Sequence, residues 1–213
     1  MNIHSQPLGP VLALQASIPD EKPAADDKRQ RLLAAALELF ESRGFDGVSV
    51  PEIAAKAGVA TGTVYRYFPS KEALVNALYR EWKGLYNAFV LAPLPSGLPA
   101  RDRFGTYWRR MMAFARTYPR AIRFMDLHHH AAYLDAEAVA ASRVYRAAAE
   151  RFIADAIAAG DFRAVEPALV VSLLWGASAG LVKFANGEAL ILDTTTVAAM
   201  EEALWRAIAK DPS

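Results

Sequence analysis

Residues 61–67 read TGTVYRY, and Phe68 follows. At helical spacing Val64 and Phe68 fall on one side at i and i+4. Thr61, Gly62, Tyr65 and Arg66 fall on another, flanked by Thr63 and Tyr67. That second face offers hydroxyls, a guanidinium and a glycine that permits close approach. Such groups suit phosphate oxygens and base edges in the major groove of double-stranded DNA. Tyr65 has a second reading, as a core ring with its hydroxyl at the rim, but Val64 and Phe68 already supply an apolar side. So short and one-sidedly polar a segment has little to gain from packing alone.

Other chemistries find less support. His128, His129 and His130 invite a metal reading, yet consecutive helical residues point about 100° apart, so at most one or two could share a centre. The nearest acids are Asp126 and Asp135, there is no cysteine, and zinc wants three or four convergent ligands. We therefore expect no metal and no cofactor. One histidine should face a cavity and the others water, with a charge switch near neutral pH open to them. No motif brings together a nucleophile, a base and an orienting group, so an enzyme on a helical bundle is the weaker class.

The elements that must position the 61–67 face are legible around it. Leu32, Leu33, Ala36, Leu37 and Phe40 recur at helical spacing, and Gly44 stops that helix as a left-handed cap residue would. Ser49 stands three residues before Glu52, a capping box with Pro51 in the first turn. A short helix carries Ile53, Ala54 and Ala57; Gly58 ends it, and Thr61 is expected to cap the next. A turn containing glycine lets two helices cross steeply, as a helix-turn-helix requires. With Val59, Val64, Phe68 and Leu74, these apolar residues should form the core. Ser70 should cap a long helix from Lys71 to about Val90.

The run EIAAKAGVATGTVYRYFPSKEAL, preceded by RLLAAALELFESRGFDGVSV, closely resembles the N-terminal signature of TetR/AcrR-type transcriptional regulators. The match covers roughly residues 28–75. The resemblance implies an all-α fold: a three-helix DNA-binding head, a linker helix, a helical ligand-binding body and a homodimer on operator DNA. Carried over by position, Thr61, Gly62, Thr63, Tyr65 and Arg66 match the recognition helix. Tyr67 and Lys71 match positions that commonly hold the phosphate backbone. Ser49 and Val50 open the preceding helix, where amides can meet a phosphate. Lys28 and Arg29 start the first helix, where cations oppose its dipole and an outside anion would help explain them. Asp26 and Asp27 can offset the same charge.

The division expected is a flexible arm over 1–26, the head over 27–75, and an effector-binding and dimerisation part over 76–213. Further helices should lie near 101–117, 119–132, 136–159, 166–186 and 195–209, with Pro119 and Pro167 in first turns and Gly160 and Gly187 at stops. A mainly apolar cavity between the linker helix and the next three would suit a small hydrophobic or amphipathic effector. Candidate lining residues are Trp82, Tyr86, Phe89, Tyr107, Met111, Phe114, Phe124, His128, Tyr133, Phe152 and Trp175. Each could equally be plain core. Trp175, Gly176, Ala179 and Gly180 on one helix and Val197, Met200, Leu204, Trp205 and Ile208 on the next should pack against their copies in a four-helix interface.

Bulk properties agree. The net charge is +1, but residues 28–85 hold nine Lys/Arg against six Asp/Glu, a local basic excess. Residues 167–182 are free of charge, but sixteen residues fall short of the roughly 20 a membrane span needs, so a buried helix and a cytoplasmic protein without a membrane partner are expected. The expected function is an effector-released repressor. An activator or adaptor with the same head is the alternative.

Overall fold

The computed structural model describes residues 28–128, 132–186 and 191–210; the 1–26 arm, Asp27, His129, His130 and Gly187 lie outside them. The described residues form helices α1 (Lys28–Arg43), α2 (Val50–Lys56), α3 (Thr61–Tyr67), α4 (Lys71–Val90), α5 (Ala100–Thr117), α6 (Pro119–Leu127), α7 (Ala136–Ala159), α8 (Pro167–Asn186) and α9 (Thr194–Ile208). No strand occurs among them.

Local chemistry sets most of these bounds. Gly44 and Gly58 sit at φ +69° and +66°, the left-handed region where a glycine escapes the Cβ clash. The Gly58 turn is closed by the Val59 amide, which donates to the Ala54 carbonyl at 3.0 Å. Ser70 caps α4 by accepting from the Ala73 amide at 3.1 Å. Two boundaries differ from expectation. Ala60, not Thr61, is the N-cap of α3, because the chain leaves the Gly58 turn already extended at Ala60. The helix expected over 119–132 ends at Leu127, because His128 departs from helical geometry and turns into the core, 1% exposed.

Burial explains the assembly. α1 packs on α2, α4 and α6, while α4 also packs on α5 and α7. The buried set runs without interruption from Leu32, Phe40, Ile53 and Val64 through Leu74, Leu78 and Tyr79 to Trp108 and Phe114. The residues assigned to the head's core are buried as expected, with Val59 and Leu37 half-buried. Two buried polar side chains on this spine are tied to backbone. Asn76 donates to the Glu72 and Tyr133 carbonyls, both at 2.8 Å, and accepts from the Asp135 amide at 2.9 Å. Arg110 donates to the Val90 and Ala92 carbonyls at the end of α4.

Lys71 closes the turn between α1 and α2. Its Nζ donates to the Phe45 and Val48 carbonyls at 2.9 and 3.0 Å and stands 4.0 Å from the centre of the Phe45 ring. Charged donors are worth about 1.5–3 kcal/mol per bond. Lys71→Met should therefore lower the unfolding free energy by at least about 1.5 kcal/mol without DNA; an unshifted urea midpoint would assign the turn's stability to Phe45 packing alone.

Candidate nucleic-acid interface and effector cavity

The short helix α3 is anchored by one side only. Val64 is 1% exposed and Phe68, its C-cap, 4%. Tyr65 is 52% and Tyr67 40% exposed, and Gly62 and Arg66 are open to solvent. Those values rule out Tyr65 as a core ring within the chain. Thr61 and Thr63 are half-exposed beside them.

Neighbouring candidates divide by what already holds them. Lys28 is exposed at the start of α1. Arg29 pairs with Glu81 at 2.5 Å and lies 5.6 Å from the Phe68 ring centre, so it ties α1 to α4. Ser49 is exposed; its amide and Oγ both donate to Glu52 Oε2, at 2.8 and 2.7 Å. Those two bonds, with Arg43 at 2.8 Å, hold the Glu52 carboxyl down at about 2. The Val50 side chain is buried, leaving only its backbone for a ligand. Two of the three Lys71 donors are committed to carbonyls.

A cavity of about 500 Å³ lies in the body, within the range of roughly 300–1,000 Å³ usual for small-molecule sites. Its walls are Lys83 and Tyr86 of α4; Met111, Met112 and Ala115 of α5; Ile122, Arg123, Met125, Asp126 and Leu127 of α6; and Trp175, Ser178, Ala179, Gly180, Val182 and Lys183 of α8. Glu41 of α1 also reaches the wall, paired with Arg123 at 2.5 Å. The fourth wall is therefore α8, where α7 was expected. A second, much smaller cavity of about 50 Å³ involves Tyr107, Met111 and Phe152.

The aromatic candidates thus separate. Tyr86, Met111 and Trp175 line the large cavity, and Tyr107 and Phe152 the small one. Trp82, Phe89, Phe114, Phe124, His128 and Tyr133 line neither, because their rings are spent on one another. Phe114 meets Trp82, Tyr86, Phe89 and Tyr118 at 5.0–6.4 Å between centroids. His128 packs on Phe40, Phe124 and the Tyr133 hydroxyl instead of facing a cavity. Its burial lowers its pKa from the ordinary value, which opposes a charge switch near neutrality. Among the described residues no group of three or more His, Cys, Asp or Glu could hold a metal.

Lys83, Met112, Ile122 and Val182 were missed. Lys83 carried a readable signal: a charge inside the apolar stripe of α4, four residues after Tyr79 and three before Tyr86.

The surface expected to meet a second copy needs correction. Val197, Leu204 and Ile208 are 5–8% exposed within one chain. α9 packs them on α5, where Trp108 Nε1 donates to the Val197 carbonyl at 3.0 Å. Trp205 leans on Phe104 and Phe162 at 5.8 and 5.5 Å, and Met200 is half-buried. Ala179 and Gly180 line the cavity with Trp175; Gly176 faces out. α8 is not the buried helix its sequence suggests. It is long and apolar enough by length and composition to cross a membrane, yet only 22% of that stretch is buried. Leu169, Leu173 and Phe184 are 63%, 47% and 61% exposed, and with Gly176 they form one outward stripe.

The chain is similar to known regulators along its length. The family model for "Bacterial regulatory proteins, tetR family" matches residues 32–78, and that for "Tetracyclin repressor-like, C-terminal domain" matches residues 86–210. The HTH-type transcriptional regulator RutR of Escherichia coli K12 is 29% identical over 170 residues, covering 76% of this chain and 77% of its own. The HTH-type transcriptional repressor KstR of Rhodococcus jostii is 46% identical over 61 residues, 28% of this chain and 29% of its own. A TetR family transcription regulator from Marinobacter aquaeolei, 21% identical, shares the fold with a TM-score of 0.77 over 86% of this chain and 96% of its own.

The one-sided anchoring of α3 separates stability from surface. Phe68→Ala should cost about 3–5 kcal/mol of folding free energy, whereas Tyr65→Ala and Arg66→Ala should each stay within about 0.5 kcal/mol of wild type. A large loss in thermal melts of either exposed variant would return that residue to the core.

Proposed function

The chain belongs to the TetR family of bacterial regulatory proteins, and from that premise we propose that it acts as a homodimeric repressor released from operator DNA by a small amphipathic effector. The observation that carries the reading is α3, which buries Val64 and leaves Gly62, Tyr65, Arg66 and Tyr67 in solvent. Thr61, Gly62, Thr63, Tyr65 and Arg66 read the major groove. Tyr67, Lys28 and the amide at Val50 hold phosphates, while Ser49, whose amide and Oγ both serve Glu52, holds the start of α2 in place. Arg29 and Lys71 serve the frame first, and Lys71 can add its third donor to a phosphate. The head extends over 27–75 and the effector-binding part over 76–213. We assign no catalytic role to any residue, and a cytoplasmic location follows from operator binding.

The outward stripe of α8 supports dimerisation. Leu169, Leu173, Gly176 and Phe184 form an apolar surface of the kind that marks interfaces. The exposed Ala199 and Ala203 of α9 would let a partner helix approach. Two such helices per subunit make a four-helix contact. The two α3 helices then address half-sites about 34 Å apart, or a small multiple of that.

Effector release runs through α6. This helix walls the cavity with Arg123, and Arg123 holds Glu41 of α1. An effector that binds better with α6 displaced also displaces α1. Its effect is bounded by its differential affinity for the two arrangements.

Fluorescence anisotropy of the dimer on its own upstream promoter DNA, against scrambled DNA at two salt concentrations, tests the reading. Selective, salt-sensitive binding should result, and Arg66→Ala should weaken it by about 1–3 kcal/mol. Absence of any preferred duplex in selection from random sequences would refute it, and a promoter reporter distinguishes repression from activation.

A further inference from the structure

Lys83 is 5% exposed and sits on the cavity wall. Its Nζ lies 5.5, 5.9 and 5.6 Å from the ring centres of Tyr79, Tyr86 and Trp175. Among the described residues no carbonyl, hydroxyl or carboxylate accepts a hydrogen bond from it. An ammonium carries three donors and no acceptor, and burying one without a partner is costly. Asn76 and Arg110 both place donors on backbone carbonyls, whereas Lys83 sits on the cavity wall with no acceptor among the described residues. Cation–π attraction offsets part of the cost but leaves the N–H groups without acceptors.

The remaining charges on the wall do not supply an acceptor. Glu41 is committed to Arg123. Asp126 is exposed and acts on Lys83 only through space. Lys183 adds a further cation. Three cations thus stand against two carboxylates around a lining that is otherwise mostly apolar. A cationic guest would meet Lys83 as a like charge, and a neutral one would leave its donors unpaired.

We propose that the cavity binds an amphipathic organic acid, its hydrocarbon body against Met111, Met112, Ile122 and Val182 and its carboxylate paired with Lys83. This assignment rests on the reading of the cavity as the effector site and names the chemistry of the effector. It also gives a pH dependence. Burial lowers Lys83 from 10.5 to about 8, with Asp126 partly offsetting. The groups around it are Asp126 and Arg123 from α6, Glu41 from α1 and Lys183 from α8 on the cavity wall, and Tyr79 and Tyr86 from α4, with Tyr145 of α7 packed behind Tyr86. Burial pushes Tyr79 and Tyr145 up to about 12 and Tyr86 well above 10, so these hydroxyls keep their protons at pH 7–9. The anion needs the charged form of Lys83. Its affinity is therefore full below about pH 8 and falls as pH rises past that value.

The test is calorimetry on the full-length protein with decanoate and 2-naphthoate as anions, and decan-1-ol and decyltrimethylammonium as neutral and cationic controls. At least one anion should bind at least about ten-fold more tightly than either control, and more weakly at pH 9 than at pH 7. Lys83→Met should abolish both the preference and the pH dependence, retain decanol binding, and leave Tm unchanged or raised, because it removes an unpaired buried charge. Should that variant not fold, Asp126→Asn serves: it removes a competing anion and should tighten anion binding about two- to five-fold. The proposal is overturned if neither anion binds, if they bind no better than the controls, if Lys83→Met keeps the preference, or if Asp126→Asn fails to tighten binding. Operator anisotropy with the same ligands separates the two readings. An anion that binds without weakening operator affinity overturns the effector reading and leaves the anion site standing. Release by decanol or decyltrimethylammonium alone overturns the anion assignment and leaves the effector reading standing.

Discussion

α4 buries Leu74, Val75, Leu78, Tyr79, Tyr86 and Val90 along one side of a single 20-residue helix, about 30 Å long. Because the buried stripe has no break, the two ends of α4 cannot move independently without opening close-packed core. α1, α5, α6 and α7 all pack directly on this helix. Asn76, bonded to both Tyr133 and Asp135 across the chain, and Arg29, paired with Glu81, fix its rotation against the rest.

The polar groups admitted to this core differ in what they are for. Where a buried donor meets a backbone carbonyl, as with Arg110 at the end of α4, it terminates a helix and fixes a loop. Glu201, 6% exposed, is held by Arg101 at 2.7 Å and Arg109 at 2.8 Å and fastens α9 to α5. Gly105 makes room for that pair, since a Cβ there would overlap the Glu201 carboxylate. Lys83 has no such partner among the described residues and stands beside empty volume. An ammonium on a cavity wall with no acceptor from the protein points to a ligand more strongly than an apolar lining does, because the same apolar residues also build ordinary core.

α8 shows how one helix serves two surfaces. Trp175, Ser178, Ala179 and Val182 line the cavity, while Leu169, Leu173, Gly176 and Phe184 look outward. A helix presenting apolar groups to both sides must reach the surface as an interface or leave an exposed patch. Its placement also puts the cavity wall directly under the outward stripe, so a change in cavity contents and a change in the outer surface share the same backbone.

The sequence determined the parts governed by local rules. Helix stops at Gly44 and Gly58, the cap at Ser70 and the two-sided character of 61–68 depend on neighbours within a few residues, and a period of 3.6 displays them directly. The membership of the cavity did not follow from such rules. Trp82 and Phe114 have the composition of a pocket but spend their rings on each other, and Phe124 spends its ring on Tyr79 and His128, whereas Met112, Ile122 and Val182 line one. Val197, Leu204 and Ile208 form a stripe that could face a partner or its own chain, and only the packing of α9 on α5 chose the second. Periodicity states which face of a helix is apolar. It cannot state what that face meets, because the crossing of two helices distant in sequence depends on the volumes of both, and that was settled only when the chain folded.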